Sequence, residues 1–226
     1  MELSLAEELL LLGLDAESGE IILSVSTALP YGVIGAILLE LHFRKKIEIY
    51  NNSIKVLDPS KLGDDILDEV LELMNNHNKT EEAKYWIRTI NSTIEDIIER
   101  LIVSLINKGI LRKECKKILW IIPVERFPAK DVLPEVRTRL LIRSVVLENA
   151  EPDCRTKALL SLIKSTNLID ELFLKDERKQ ANNIINEYIS ADCIGNAILE
   201  INAEVSSIIA SSVAGTVAAA SVVGSF

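Results

Sequence analysis

Asp64 and Asp68 stand four residues apart with Asp65 and Glu69 beside them. One helical turn would bring the first two carboxylates to one face, where they could share a divalent cation. Acids at the start of a helix also complement the positive end of its dipole, and the sequence favours that plainer reading. His42 and His77 are far apart, and Cys115, Cys154 and Cys193 form no Cys-x-x-Cys pair. Neither a histidine metal site nor a zinc or disulfide framework is therefore expected. The chain contains no Gly-x-Ser-x-Gly elbow, Walker loop or Gly-x-Gly-x-x-Gly fingerprint. The expectation is a non-enzyme with no catalytic residue, metal or cofactor.

Charge says more. Residues 110–146 carry a net +5, and the rest of the chain carries −14. Inside this stretch Arg112, Lys113, Lys116 and Lys117 adjoin Leu119, Trp120, Ile121 and Ile122. Cationic attraction to anionic lipid and an interface-seeking ring are two membrane-surface signals in one segment. The plainer alternative is a solvated edge hairpin whose lysines prevent strand addition, with Trp120 facing the core.

The elements that position these residues follow from periodicity. Ser4 to Glu7 reads as a capping box that opens a short helix through Leu12. Pro30 precedes a helix from Tyr31 to Phe43, in which Gly32 and Gly35 mark a close helix contact. Residues 46–50 and 53–57 alternate with period two around Asn51-Asn52, a hairpin signal. Helices are predicted over 64–74, 81–90 and 93–108, the last closed by Gly109. A second hairpin is predicted from strands 110–113 and 117–122, with Pro123, Pro128 and Pro134 in the loop after it. Helices over 135–146, 154–165, 176–189 and 193–223 complete the reading. The expected fold is mainly α with two or more small hairpins, in one large domain or two small ones. Helix followed by hairpin occurs twice, at 31–57 and 93–122. A winged-helix-like regulatory module that binds protein or DNA is therefore the alternative function.

The 226 residues are 48% hydrophobic but only 4% aromatic, with a formal charge of −9. Such aliphatic content excludes disorder, and the acidic total argues against nucleic acid as a partner. Three dispersed cysteines point to a reducing, cytoplasmic compartment. Glu2, Glu7 and Glu8 occupy what would be the positive region of a signal peptide. Val205 to Phe226 is a run of 22 residues without charge, 14 of them Ala, Ser, Gly or Thr. The Ala210, Ala214, Ala218 stripe favours a buried helix over a membrane span.

The chain also resembles a known family. The run from Leu3 to Leu14, the block Tyr31-Gly32-Val33-Ile34-Gly35 to Leu41, and the Ile47-Glu48-Ile49 strand are similar to the Golgi phosphoprotein 3 family. So are Gly63-Asp64-Asp65-Ile66-Leu67-Asp68-Glu69, Trp86-Ile87, Glu99-Arg100-Leu101 to Leu111, and Pro152-Asp153-x-Arg155-Thr156. The resemblance implies a single helical domain over 1–226 around a long apolar C-terminal helix, and a non-enzymatic peripheral membrane adaptor whose relatives bind phosphatidylinositol 4-phosphate. It further implies a hairpin, here about Leu111 to Ile122, that supports membrane contact and self-association.

The departures shape the expectation. The family's headgroup tryptophan and three basic residues align with Val25, Ile34, Glu95 and Ile98, none aromatic or basic. Contact with generic anionic lipid or a protein partner, through Arg112, Lys113, Lys116, Lys117, Leu119 and Trp120, is expected in place of headgroup recognition. The resemblance is closer to the family's compact prokaryotic members, and the expectation is a domain without the basic N-terminal arm.

Overall fold

The computed structural model describes residues 3–77, 79–118, 122–190 and 196–222. Helix α1, Leu5–Leu12, begins at Ser4, whose hydroxyl accepts from the Glu7 N–H while Glu7 returns the bond to Ser4. This reciprocal cap satisfies two donors that a helix start leaves open. Helix α2, Leu29–Phe43, follows, and every residue from Gly32 to Leu41 is buried. It packs against α1 and against five of the elements that follow it in the chain.

Strands β1, Ile47–Tyr50, and β2, Ser53–Val56, pair antiparallel around Asn51 and Asn52. Both asparagines have left-handed backbones, with φ of 50° and 57°, as a two-residue hairpin turn requires. Helix α3 spans Asp65–His77. Glu81–Glu82, expected as the start of a helix, forms a third strand, β3, beside β2. Helix α4 then runs Ala83–Thr93 and α5 runs Ile97–Asn107. The helix expected from Thr93 begins only at Ile97, because Ile94 is extended and Asp96 is left-handed at φ 58°. Gly109, at φ 74°, ends the run as expected.

The second hairpin is β4, Glu114–Ile118, with β5, Ile122–Arg126. Its strands lie further along the chain than 110–113 and 117–122, and Pro123 belongs to β5 instead of the loop. A two-stranded ribbon is all edge, so a strand proline is tolerated there. The remaining helices are α6, Leu133–Glu148; α7, Cys154–Ser165; α8, Ile169–Leu172; α9, Arg178–Ser190; and α10, Asn196–Val222.

The described side chains of α10 do not show the expected apolar helix at the centre. On α10, Ile198, Ile201, Val205 and Ile208 are buried, while Ala203, Ser206, Ser207 and Ala210 face solvent. The centre is α2, whose apolar residues leave it no polar back. Its glycines, not the alanines of α10, set the close approach in the described region. A Cβ on Gly35 would stand 2.9 Å from Val205 and 3.2 Å from Ile201 and Leu162. On Gly32 it would stand 2.3 Å from Thr166. The side chains of Ala214 and Ala218 lie outside the described residues. Among the described residues, no helix is long and apolar enough to cross a membrane.

Candidate functional site

The positions aligned with the headgroup site are partly assembled. Ile34 from α2, Glu95 from the α4–α5 turn and Ile98 from α5 line one cavity of about 420 Å³. Val25 is fully buried in the one-turn helix Leu23–Val25 and is not among its lining residues. Asp96 and Glu99 join Glu95 at the cavity, and its lining includes no lysine or arginine. A phosphate entering there would meet three carboxylates, each repelling it.

The hairpin stem is well anchored. Leu111 bridges Ala129, the Arg112 N–H donates to the Pro128 carbonyl at 3.0 Å, and the Lys130 N–H donates to Ile110 at 2.8 Å. Arg112, Lys113 and Lys116 are all more than half exposed at the side chain. Their charge is less free than the sequence implied. Arg112 donates to Glu114 at 2.8 Å, Lys113 pairs with Glu125 at 2.6 Å, and Lys116 lies 3.9 Å from Glu114. The hydrogen bond to Glu125 raises the pKa of Lys113 above its ordinary value, keeping it charged. Such exposed pairs contribute only about 0–1 kcal/mol, so an anionic surface can displace them. The side chain of Lys117, and Leu119 and Trp120 altogether, lie outside the described residues.

The acidic cluster is occupied with capping. Asp64 Oδ1 accepts from the Ile66 and Leu67 N–H groups at 3.1 and 3.0 Å. Asp68 accepts from Leu62 and Gly63 at 2.6 and 3.0 Å, so both carboxylates hold the start of α3. His42 lies 3.3 Å from the Ile47 carbonyl, and His77 lies 3.1 Å from Glu81. The structure brings neither histidine to a shared site.

Sequence reasoning missed a buried charge network. Glu40, 4% exposed, accepts from Arg155 at 2.8 Å, Arg44 at 2.8 Å and the Leu5 N–H at 3.1 Å. Arg155 also donates to Leu3 O and Glu8. Burial acts to raise the Glu40 pKa, but its bonds to Arg44, Leu5 and Arg155 outweigh it and hold the pKa below 4.5. The available signal was the Pro152-Asp153-x-Arg155-Thr156 block. Its Asp153 caps α7 by accepting from the Thr156 N–H at 2.7 Å, which places Arg155. A second missed feature is α6, where Leu133, Val136, Leu140 and Leu141 are exposed.

Known proteins are similar to this chain in sequence. Vacuolar protein sorting-associated protein 74 of Eremothecium gossypii is 28% identical over 75% of this chain and 61% of its own length. The protein of the same name from Schizosaccharomyces pombe is 25% identical, over 62% of this chain and 47% of its own. A VPS74-like protein of Dictyostelium discoideum is 32% identical, over 51% and 49% respectively. This chain thus spans about half to three-fifths of the length of these relatives. The profile of the Golgi phosphoprotein 3 (GPP34) family matches residues 5–205, from the α1 cap to the core-facing side of α10, and the chain belongs to that family.

Proposed function

We propose that this chain is a non-enzymatic adaptor that associates peripherally, from the cytoplasm, with an anionic membrane surface through the hairpin over residues 111–122. Family membership carries the proposal. The exposed Arg112, Lys113 and Lys116 support it, since they sit in a +5 stretch of an acidic chain. Recognition of phosphatidylinositol 4-phosphate is not part of the proposal, because Glu95, Asp96 and Glu99 make the aligned cavity hostile to phosphate. Self-association through the hairpin is a secondary element of it.

Co-sedimentation with phosphatidylcholine vesicles, with and without phosphatidylserine, tests this reading. Binding should require the anionic lipid, gain nothing further from added phosphatidylinositol 4-phosphate, and weaken in Lys113→Glu with Lys116→Glu. Equal binding by that variant would remove the hairpin from the site. Retention on duplex DNA at low salt, in place of vesicles, would transfer the stretch to the winged-helix reading.

A further inference from the structure

The ribbon that carries the proposed membrane contact is held at its stem. Among the described residues, β4 and β5 pair with each other and pack extensively on no helix and on no other sheet. A two-stranded ribbon alone is at best marginally stable, so its direction depends on what grips its base. That grip comes from a turn far away in the chain, residues 15–20.

Local bonds close the turn. The Asp15 carboxylate accepts from the Ser18 N–H at 2.7 Å, and the Gly19 N–H donates to the Asp15 carbonyl at 2.7 Å. The Asp15 N–H donates in return to the Glu20 carbonyl at 2.9 Å. Aspartate sets turns by this kind of side-chain bond to nearby backbone. Leu14, which is buried, bridges Ile21 across the mouth of the turn and fixes it to the core.

The exit of β5 lies on this turn. Arg126 is 3.3 Å from Glu20, and the Ala129 N–H donates to the Ala16 carbonyl at 3.1 Å. Between them the Phe127–Pro128 peptide rests on Gly19, where a Cβ would stand 2.1 Å from the Phe127 carbonyl carbon and 2.5 Å from the Pro128 nitrogen. Both are backbone atoms, so no change of rotamer relieves the contact. Gly19 also has φ 67°, in the left-handed region. Pro128 in turn accepts from the Arg112 N–H, and Ala129 bridges Leu111, so both arms of the stem are tied to one seat.

We infer that Gly19 is a positioning residue for the hairpin: the 15–20 turn seats the stem where a glycine lets two backbones touch, and so sets the direction in which Arg112, Lys113 and Lys116 face a membrane. This role rests on the membrane-surface reading above, and Gly19 acts through the stem and not on lipid. Cations that must reach one surface together lose contacts when the element carrying them is re-aimed.

Gly19→Ala and Asp15→Ala are to be compared with the parent chain on phosphatidylcholine–phosphatidylserine vesicles, with Gly63→Ala as control. Gly63 is also left-handed, at φ 80°, but has open space where its Cβ would go, so it carries the strain without the contact. Spin labels on the exposed Cys115 of β4 and Cys154 of α7, in a Cys193→Ser background, report where the ribbon points. Gly19→Ala should bind about tenfold more weakly and shift or broaden the label distance, while Gly63→Ala leaves both unchanged. Asp15→Ala removes a negative charge, which by charge alone would strengthen binding. A loosened seat should weaken it several-fold instead, and this variant decides if Gly19→Ala does not fold. An unmoved label distance in the folded turn variants, parent-like binding by both, or equal weakening by Gly63→Ala overturns the inference and leaves the adaptor reading standing. A parent chain that binds no anionic vesicle removes the adaptor reading and this role of Gly19 with it.

Discussion

Arg155 joins three segments that are far apart in the chain: it bonds the Leu3 carbonyl before α1, Glu8 within α1 and Glu40 on α2. Removing it would leave Glu40 desolvated with fewer partners, the costly way to break a buried pair. Arg155→Met should therefore lower stability by about 3 kcal/mol, read as a lower urea midpoint. An unchanged midpoint would mean the network contributes nothing. Glu40 adds a pH dependence of definite sign. Its folded pKa lies below the ordinary 4.5, so its contribution is complete above that value and disappears as pH falls through the lower one. Glu40→Gln should destabilise most near neutrality, and its melting curve should approach that of the parent chain as the pH drops below 4.5. A difference that stays constant with pH would contradict the assignment.

Two elements test the packing and the proposed site. In α2, Gly35→Ala would gain helix propensity, but its Cβ would press on Val205, Ile201 and Leu162 from two neighbouring helices. Overpacking of this kind costs about 1–3 kcal/mol, so the melting temperature should fall. A rise would mean that α7 and α10 yield easily. In the β4–β5 ribbon, Glu114 and Glu125 neutralise cations that the proposed membrane contact needs. Glu114→Gln with Glu125→Gln should thus strengthen binding to anionic vesicles by about tenfold or more, each freed basic group contributing about 1 kcal/mol near the surface. Weaker binding would show that these carboxylates organise the site instead of masking it.

For the molecule as a whole, the relevant quantity is the distribution of charge and not its total. With +5 in residues 110–146 and −14 elsewhere, an anionic surface attracts that stretch and repels the rest. Attachment should weaken as salt rises toward physiological strength, where the screening length is about 8 Å. Vesicle binding that ignores salt would leave only an apolar contribution.

Local chemistry determined much of this protein from the sequence alone. The Ser4–Glu7 cap, the Asn51-Asn52 turn, the Gly109 stop and the limits of α7 depend on neighbours within a few residues, so they were legible without a fold. The blocks that carry the family were legible for the same reason. What only the tertiary structure decided depends on distant partners. Beyond the Ile54–Glu81 pairing that made a strand of a helical start, it decided the centring of the core on α2. It also decided the gathering of Ile34, Glu95 and Ile98 into one acid-rimmed cavity, and the pairing of Arg112 and Lys113 with carboxylates. The exposed apolar residues of α6 belong with these. Leucine at 133 and 140 reads as core in any single sequence, and only the packing of the other face of the helix shows that these two were left outside.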